Sequence, residues 1–200
     1  MDADYRLMVW IAALTSLRWE ECAGLRACDF NLDLDLDLDL DLDRPMVAVR
    51  QTVIRGGKGV GPVISNPKSD ASGRLIPLPN ALATMVMEFT TTRGLEGDAL
   101  MFPGTSGGPM CDRWFRSRRW YPALKIAGLY DAAPCRPGFH DLRRAYSTAA
   151  VRDGVDPTTL QALMGHADSR TTMNIYPQRS GAAEREASEM VALHLLPIPA

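Results

Sequence analysis

The stretch from residue 139 to residue 176, FHDLRRAYSTAAVRDGVDPTTLQALMGHADSRTTMNIY, is so dense in helix start and stop signals that few folds accommodate it. Asp156-Pro157 reads as an N-cap followed by a proline whose fixed φ and missing N–H suit a first helical turn. Gly165 closes that helix and leaves His166 just past its C-terminus. Upstream, His140 and Arg143 are three apart and share one face of a helix. Downstream, a further short segment, with Ser169 or Thr171 as its cap, ends at Tyr176. A histidine and an arginine on one helix, a histidine at a helix end and a phenol nearby have no metal-ligand spacing. They suit an anion site facing a nucleophile.

The remaining segments alternate between apolar helices and short strands. Residues 4–14 predict a buried helix, broken at Thr15-Ser16, and residues 17–25 a second helix capped by Ser16, with Arg18 in its first turn. An arginine there opposes the helix dipole, by about 0.3–1 kcal/mol, unless it meets an anion. Residues 45–54, 60–65 and 74–79 read as three antiparallel strands, and the NPKSDASG between the last two is a hairpin loop carrying Lys68. Asn80 caps a helix through residue 92. The glycine-rich MFPGTSGGPM lacks the GK[ST] ending of a nucleotide-binding P-loop. Asp112 then caps a basic aromatic helix, DRWFRSRRWYPALKIAG, kinked at Pro122. Its Trp114, Phe115 and Trp120 suit the core, whereas Arg116, Arg118 and Arg119 suit phosphates on the opposite face. Residues 182–196 fit a final amphipathic helix.

Two hundred residues are enough for one domain with a real core. The net charge of −2 argues at first against a nucleic-acid partner. Residues 33–43, however, spell DLDLDLDLDLD, and leaving out those six aspartates turns −2 into +4. Aspartate is a poor strand former, and the glycines and spacing of aspartate-rich calcium loops are missing. The run reads as a low-complexity insertion between a helix and a strand. No apolar stretch reaches the roughly 18–20 residues of a membrane helix, and the acidic N-terminus is unlike a secretion signal. Cys22, Cys28, Cys111 and Cys135 show neither CxxC pairing nor zinc spacing, which points to free thiols in a reducing cytoplasm.

Taken together, these segments resemble the catalytic domain of the tyrosine recombinase (phage integrase) family over residues 14–176. TSLRWEECAGL resembles the family's first arginine box, with Arg18 as the arginine and Glu21 as its usual glutamate. NPKSDASGRLIPLP resembles its β-hairpin lysine segment, with Lys68 as the lysine. The stretch from His140 to Tyr176 resembles the rest, with His140, Arg143 and His166 as partners of the nucleophile Tyr176. The resemblance implies an α+β fold, mostly helical with a small three-stranded antiparallel sheet, of the DNA breaking-rejoining type. Two departures stand out. Ser16 and Glu20 flank the first arginine where the family usually has small residues, often glycine. The separate helical DNA-clamping domain that normally precedes this one is expected to be absent, so that residues 1–200 form a truncated catalytic domain.

The implied chemistry is cleavage and rejoining of double-stranded DNA through a 3′-phosphotyrosine, with no metal or nucleotide cofactor. Arg18 and Arg143 grip the non-bridging oxygens, His140 activates the phenol, Lys68 protonates the leaving 5′-oxygen and His166 donates a further hydrogen bond. Arg116, Arg118, Arg119 and Arg144 are expected to contact DNA, and copies of the chain to assemble as a tetrameric synapse. Two readings stay open: a site-specific recombinase or integrase, and a catalytically inactive DNA-binding remnant of one.

Overall fold

The computed structural model describes residues 3–32, 45–57, 59–65, 74–131, 135–165 and 181–196. Helix α1 (Ala3–Thr15) covers the predicted span and ends where the Thr15 hydroxyl donates to the Ile11 carbonyl at 2.5 Å. The next turn departs from expectation. Ser16 caps nothing: it adopts φ +57°, is fully buried, and its carbonyl is taken by a guanidinium 127 residues away. That tertiary contact overrides the local capping preference of serine. Helix α2 (Trp19–Gly24) therefore starts later than predicted, with Arg18 at the N-cap rather than in the first turn.

A 3₁₀ turn (Ala27–Asp29) leads into β1 (Phe30–Asn31). The predicted strand at 45–54 divides into β2 (Met46–Val49) and β3 (Thr52–Ile54). Gln51 marks the break: its Nε2 donates to the Gly24 carbonyl at 2.7 Å. A Cβ on Gly24 would lie 3.1 Å from the Gln51 carbonyl oxygen, so the strand crosses the end of α2 closely there. After β4 (Val63–Ser65) and β5 (Arg74–Pro77), pairing is antiparallel throughout. The three-stranded sheet runs β1-β2-β5, with Val47 opposite both Phe30 and Ile76. Strand β4 instead pairs with β3 in a separate two-stranded ribbon, so β4 and β5 do not form the hairpin expected around Lys68: β3 and β2 take their backbone partners. The third strand of the sheet is thus the short β1 rather than the 60–65 segment.

Helix α3 (Asn80–Arg93) closes at Gly94 in the left-handed conformation. Asn80 is its first residue, with Pro79 at the cap position, and the Asn80 amide donates to Glu189 Oε1 at 2.8 Å. The basic aromatic segment forms α4 (Asp112–Phe115), a π-helical turn (Arg116–Trp120) and α5 (Tyr121–Ile126). Cys111, rather than Asp112, holds the cap position of α4. The irregularity expected at Pro122 lies just ahead of it. A proline ring clashes with the carbonyl four residues back, and the wider π turn relieves that clash. Among the described residues, the last helices are α6 (His140–Arg152), α7 (Pro157–Met164) and α8 (Gly181–Leu195).

Helix α1 packs against α2, α3, α6 and α8, and α8 also covers α7 and β5. Met8, Ile11 and Leu14 of α1 are fully buried, as are Tyr146 of α6 and Val191 of α8. Phe139 stacks edge-on against Phe115 and Trp120, which pins the start of α6 to the π turn. No helix of the described residues is long and apolar enough to cross a membrane. The Asp-Leu run, Lys68, and the segment with Ser169, Thr171, His166 and Tyr176 lie outside the described residues.

Candidate functional site

Two arginines from distant parts of the chain pair with one carboxylate, and a third lies within range of their charges. Arg18 stands at the N-cap of α2, and Glu21, one turn on, accepts from the Arg18 amide at 2.8 Å and from its guanidinium Nη1 at 3.3 Å. Arg74, the first residue of β5, places a bidentate fork on the same carboxylate, 2.8 Å to Oε1 and 3.1 Å to Oε2. Burial would raise the Glu21 pKa, but the hydrogen bond and charge of Arg74, helped by Arg18, outweigh it and hold the carboxyl below its usual range. Glu21 is therefore an anion at neutral pH.

Arg143 comes from the second turn of α6 and is only 3% exposed. Its Nη1 donates to the Ser16 carbonyl at 2.7 Å and its Nη2 to the Met164 carbonyl at 2.6 Å. One guanidinium thus joins the turn before Arg18 to the C-terminal end of α7. Burial, then the fields of Arg18 and Arg74, push its pKa down to about 10, with Glu21 acting the other way. That value leaves Arg143 charged at neutral pH. A guanidinium carries five N–H donors, so both Arg143 and Arg18 keep donors to spare. Arg18 and Arg74 share the Glu21 carboxylate and Arg143 feels its field, so these three guanidiniums and one carboxylate sum to a formal charge of +2.

His140 lies exposed in the first turn of α6, one turn from Arg143. Asp141 Oδ2 accepts from the Gly138 amide at 2.7 Å, which ties down the loop entering that helix. Arg144 is exposed and pairs with Asp141 at 3.0 Å. The remaining basic residues differ among themselves. Arg116 pairs with Asp112 one turn back. Arg119 stacks over the rings of Tyr5 and Trp114 at 5.0 and 5.1 Å, and Arg118 is exposed. Trp120 and Phe115 are buried, in keeping with their expected role in the core.

Glu20, unlike Glu21, is exposed. It lines a cavity of about 380 Å³ with Trp19, Val53, Arg55, Cys111 and Arg113, and none of the three clustered arginines lines that cavity. Among the described residues, no group of three or more His, Cys, Asp or Glu side chains converges as a metal set. The residue that reading the sequence missed is Arg74. It lies six residues after Lys68, and a second cation so close in sequence to the expected lysine is the available signal.

The sequence profile of the phage integrase family matches residues 1–182. Tyrosine recombinase XerA of Thermococcus kodakarensis is 31% identical over 188 residues, covering 94% of this chain and 55% of that protein. The integrase of Mycobacterium phage FRAT1 is 28% identical over 193 residues, covering 94% of this chain and 52% of that one. The chain spans about half the length of the curated relatives it matches. Among solved structures, the Tn1549 transposon integrase in complex with transposon right end DNA superposes with a TM-score of 0.65 at 22% identity, over 94% of this chain and 59% of that one. XerH bound to its difH substrate gives 0.57 at 22% identity, over 90% and 45%. At that identity the likeness establishes a shared fold.

Proposed function

The chain belongs to the phage integrase family, and on that premise we propose that it cleaves and rejoins double-stranded DNA through a 3′-phosphotyrosine on Tyr176. The observation that carries the reading is the grouping of Arg18 and Arg74 on the single carboxylate of Glu21, with Arg143 close enough for their charges to lower its pKa. The grouping's surplus of two charges suits a phosphodiester. Arg18 and Arg143 bind the non-bridging oxygens with the donors they keep free, and the bidentate geometry is one a lysine cannot reproduce. Charge grows on those oxygens in the transition state. Losing either arginine should therefore raise the barrier by about 3–4 kcal/mol, as for a removed oxyanion-hole donor.

The Tyr176 phenol oxygen attacks phosphorus, and its proton passes to His140. Generating a phenolate at neutral pH costs about 4 kcal/mol for an ordinary phenol, which a base and a positive field must offset. As the new O–P bond forms, the bond to the 5′-oxygen breaks, and that oxygen takes a proton from Lys68. His166 adds a hydrogen bond to the phosphate. Attack of another 5′-hydroxyl on the phosphotyrosine reverses these steps and releases the tyrosine. Arg116, Arg118, Arg119 and Arg144 contribute to the DNA surface, and further copies of the chain complete a synapse.

The test is covalent trapping on a nicked suicide duplex, read on denaturing gels. Wild type should form the adduct and Tyr176→Phe should not. A wild-type chain that binds the duplex but never becomes attached, even at low salt and high protein concentration, would be the inactive remnant instead.

A further inference from the structure

We propose that Arg74 is a positioning residue that occupies Glu21 so that Arg18 stays available to the scissile phosphate; the inference rests on the recombinase reading above. Glu21 has two oxygens and two guanidinium suitors. Arg74 takes the forked position, with bonds of 2.8 and 3.1 Å, while the Arg18 guanidinium reaches one oxygen at 3.3 Å. Exposure divides the same way: the Arg74 and Glu21 side chains are 10% and 6% exposed, that of Arg18 39%. The buried fork is the strong pair and Arg18 the loose partner. Without Arg74, the whole carboxylate would compete with DNA for Arg18.

Arg74 also packs against the end of α7. A Cβ on Gly165 would lie 2.8 Å from both Cδ and Nε of Arg74, so the arginine stem rests directly on the end of α7, next in sequence to His166. As the first residue of β5 it pairs across from Val49. One side chain therefore joins the carboxylate beside the first arginine, the start of β5 and the end of α7.

The experiment is single-turnover cleavage of the suicide duplex, at saturating DNA, by the full chain. Arg74→Met should slow cleavage about 10²-fold, the scale expected when a reacting group is misplaced by roughly 1 Å. Adding Glu21→Gln should then recover about tenfold, because removing the carboxylate frees Arg18 again. A merely structural arginine predicts the reverse, since the second substitution would damage the fold further. Arg74→Lys keeps the charge without the fork and should fall about tenfold; it decides the matter if Arg74→Met proves unstable. Cleavage by Arg74→Met or Arg74→Lys at the wild-type rate, or no recovery in the double variant, overturns the proposal. Stabilisation by inorganic phosphate in thermal melts gives a readout independent of catalysis. It should shrink in Arg74→Met and return in the double variant, and an unchanged shift also overturns the proposal. Lack of any adduct with wild type counts against the recombinase reading, whereas an active wild type with an equally active Arg74→Met counts against this inference alone.

Discussion

Ser16 illustrates how a single residue can carry the cost of a site. It holds φ +57°, a region an L-residue enters at a cost of roughly 1–2 kcal/mol, and its Oγ is buried with no partner among the described residues. The backbone stays there because its carbonyl receives the Arg143 guanidinium. Glycine adopts this conformation freely. Ser16→Gly should therefore stabilise the protein by about 0.5–1 kcal/mol, after the entropy of the freer unfolded chain is set against the relieved strain. Thermal melts would show this, and a lowered midpoint would mean that the turn is not strained.

At the scale of elements, α7 has the clearest local design and the most direct bearing on the site. Asp156 accepts from the Thr159 amide at 3.0 Å, Pro157 opens the first turn, and Gly165 ends the helix in the left-handed conformation. Asp156→Ala removes the cap and should cost about 1 kcal/mol in a denaturant titration. The consequence reaches further than α7, because the Met164 carbonyl is one of the two that hold Arg143. The same dependence on neighbours explains the divided strand at 45–54. Its residues carry strand propensity throughout, but the close crossing over Gly24 decides where pairing changes from β5 to β4.

On the scale of the whole molecule, the distribution of charge matters more than its sum. Asn31 pairs with Met46, so the chain leaves β1 and enters β2 at the same place, and the Asp-Leu run falls between those two paired ends. Deleting residues 33–43 would leave Leu32, Arg44 and Pro45 to close a three-residue hairpin. It would also move the net charge from −2 to +4 by removing six aspartates. That variant should bind duplex DNA more tightly in anisotropy titrations near 0.01 M salt. The advantage should shrink toward 0.15 M, as the Debye length falls from about 30 Å to about 8 Å. Equal affinity at low salt would show that the run lies outside the field the DNA senses.

Helix punctuation was legible for α7 and at the closing glycine, since such signals act within a turn of themselves, whereas the caps expected at Ser16, Asn80 and Asp112 fall on Arg18, Pro79 and Cys111. Asp156, Pro157 and Gly165 stand as that logic requires, and the order of polar residues sufficed to suggest the family. The sequence also placed His140 and Arg143 one turn apart on α6. It did not reveal that Arg143 would be buried between Ser16 and Met164, nor that Arg74 would reach Glu21 across 53 residues. Those outcomes belong to the tertiary structure. Which cation a buried carboxylate accepts depends on which segments packing brings within about 3 Å, and no local propensity encodes that distance.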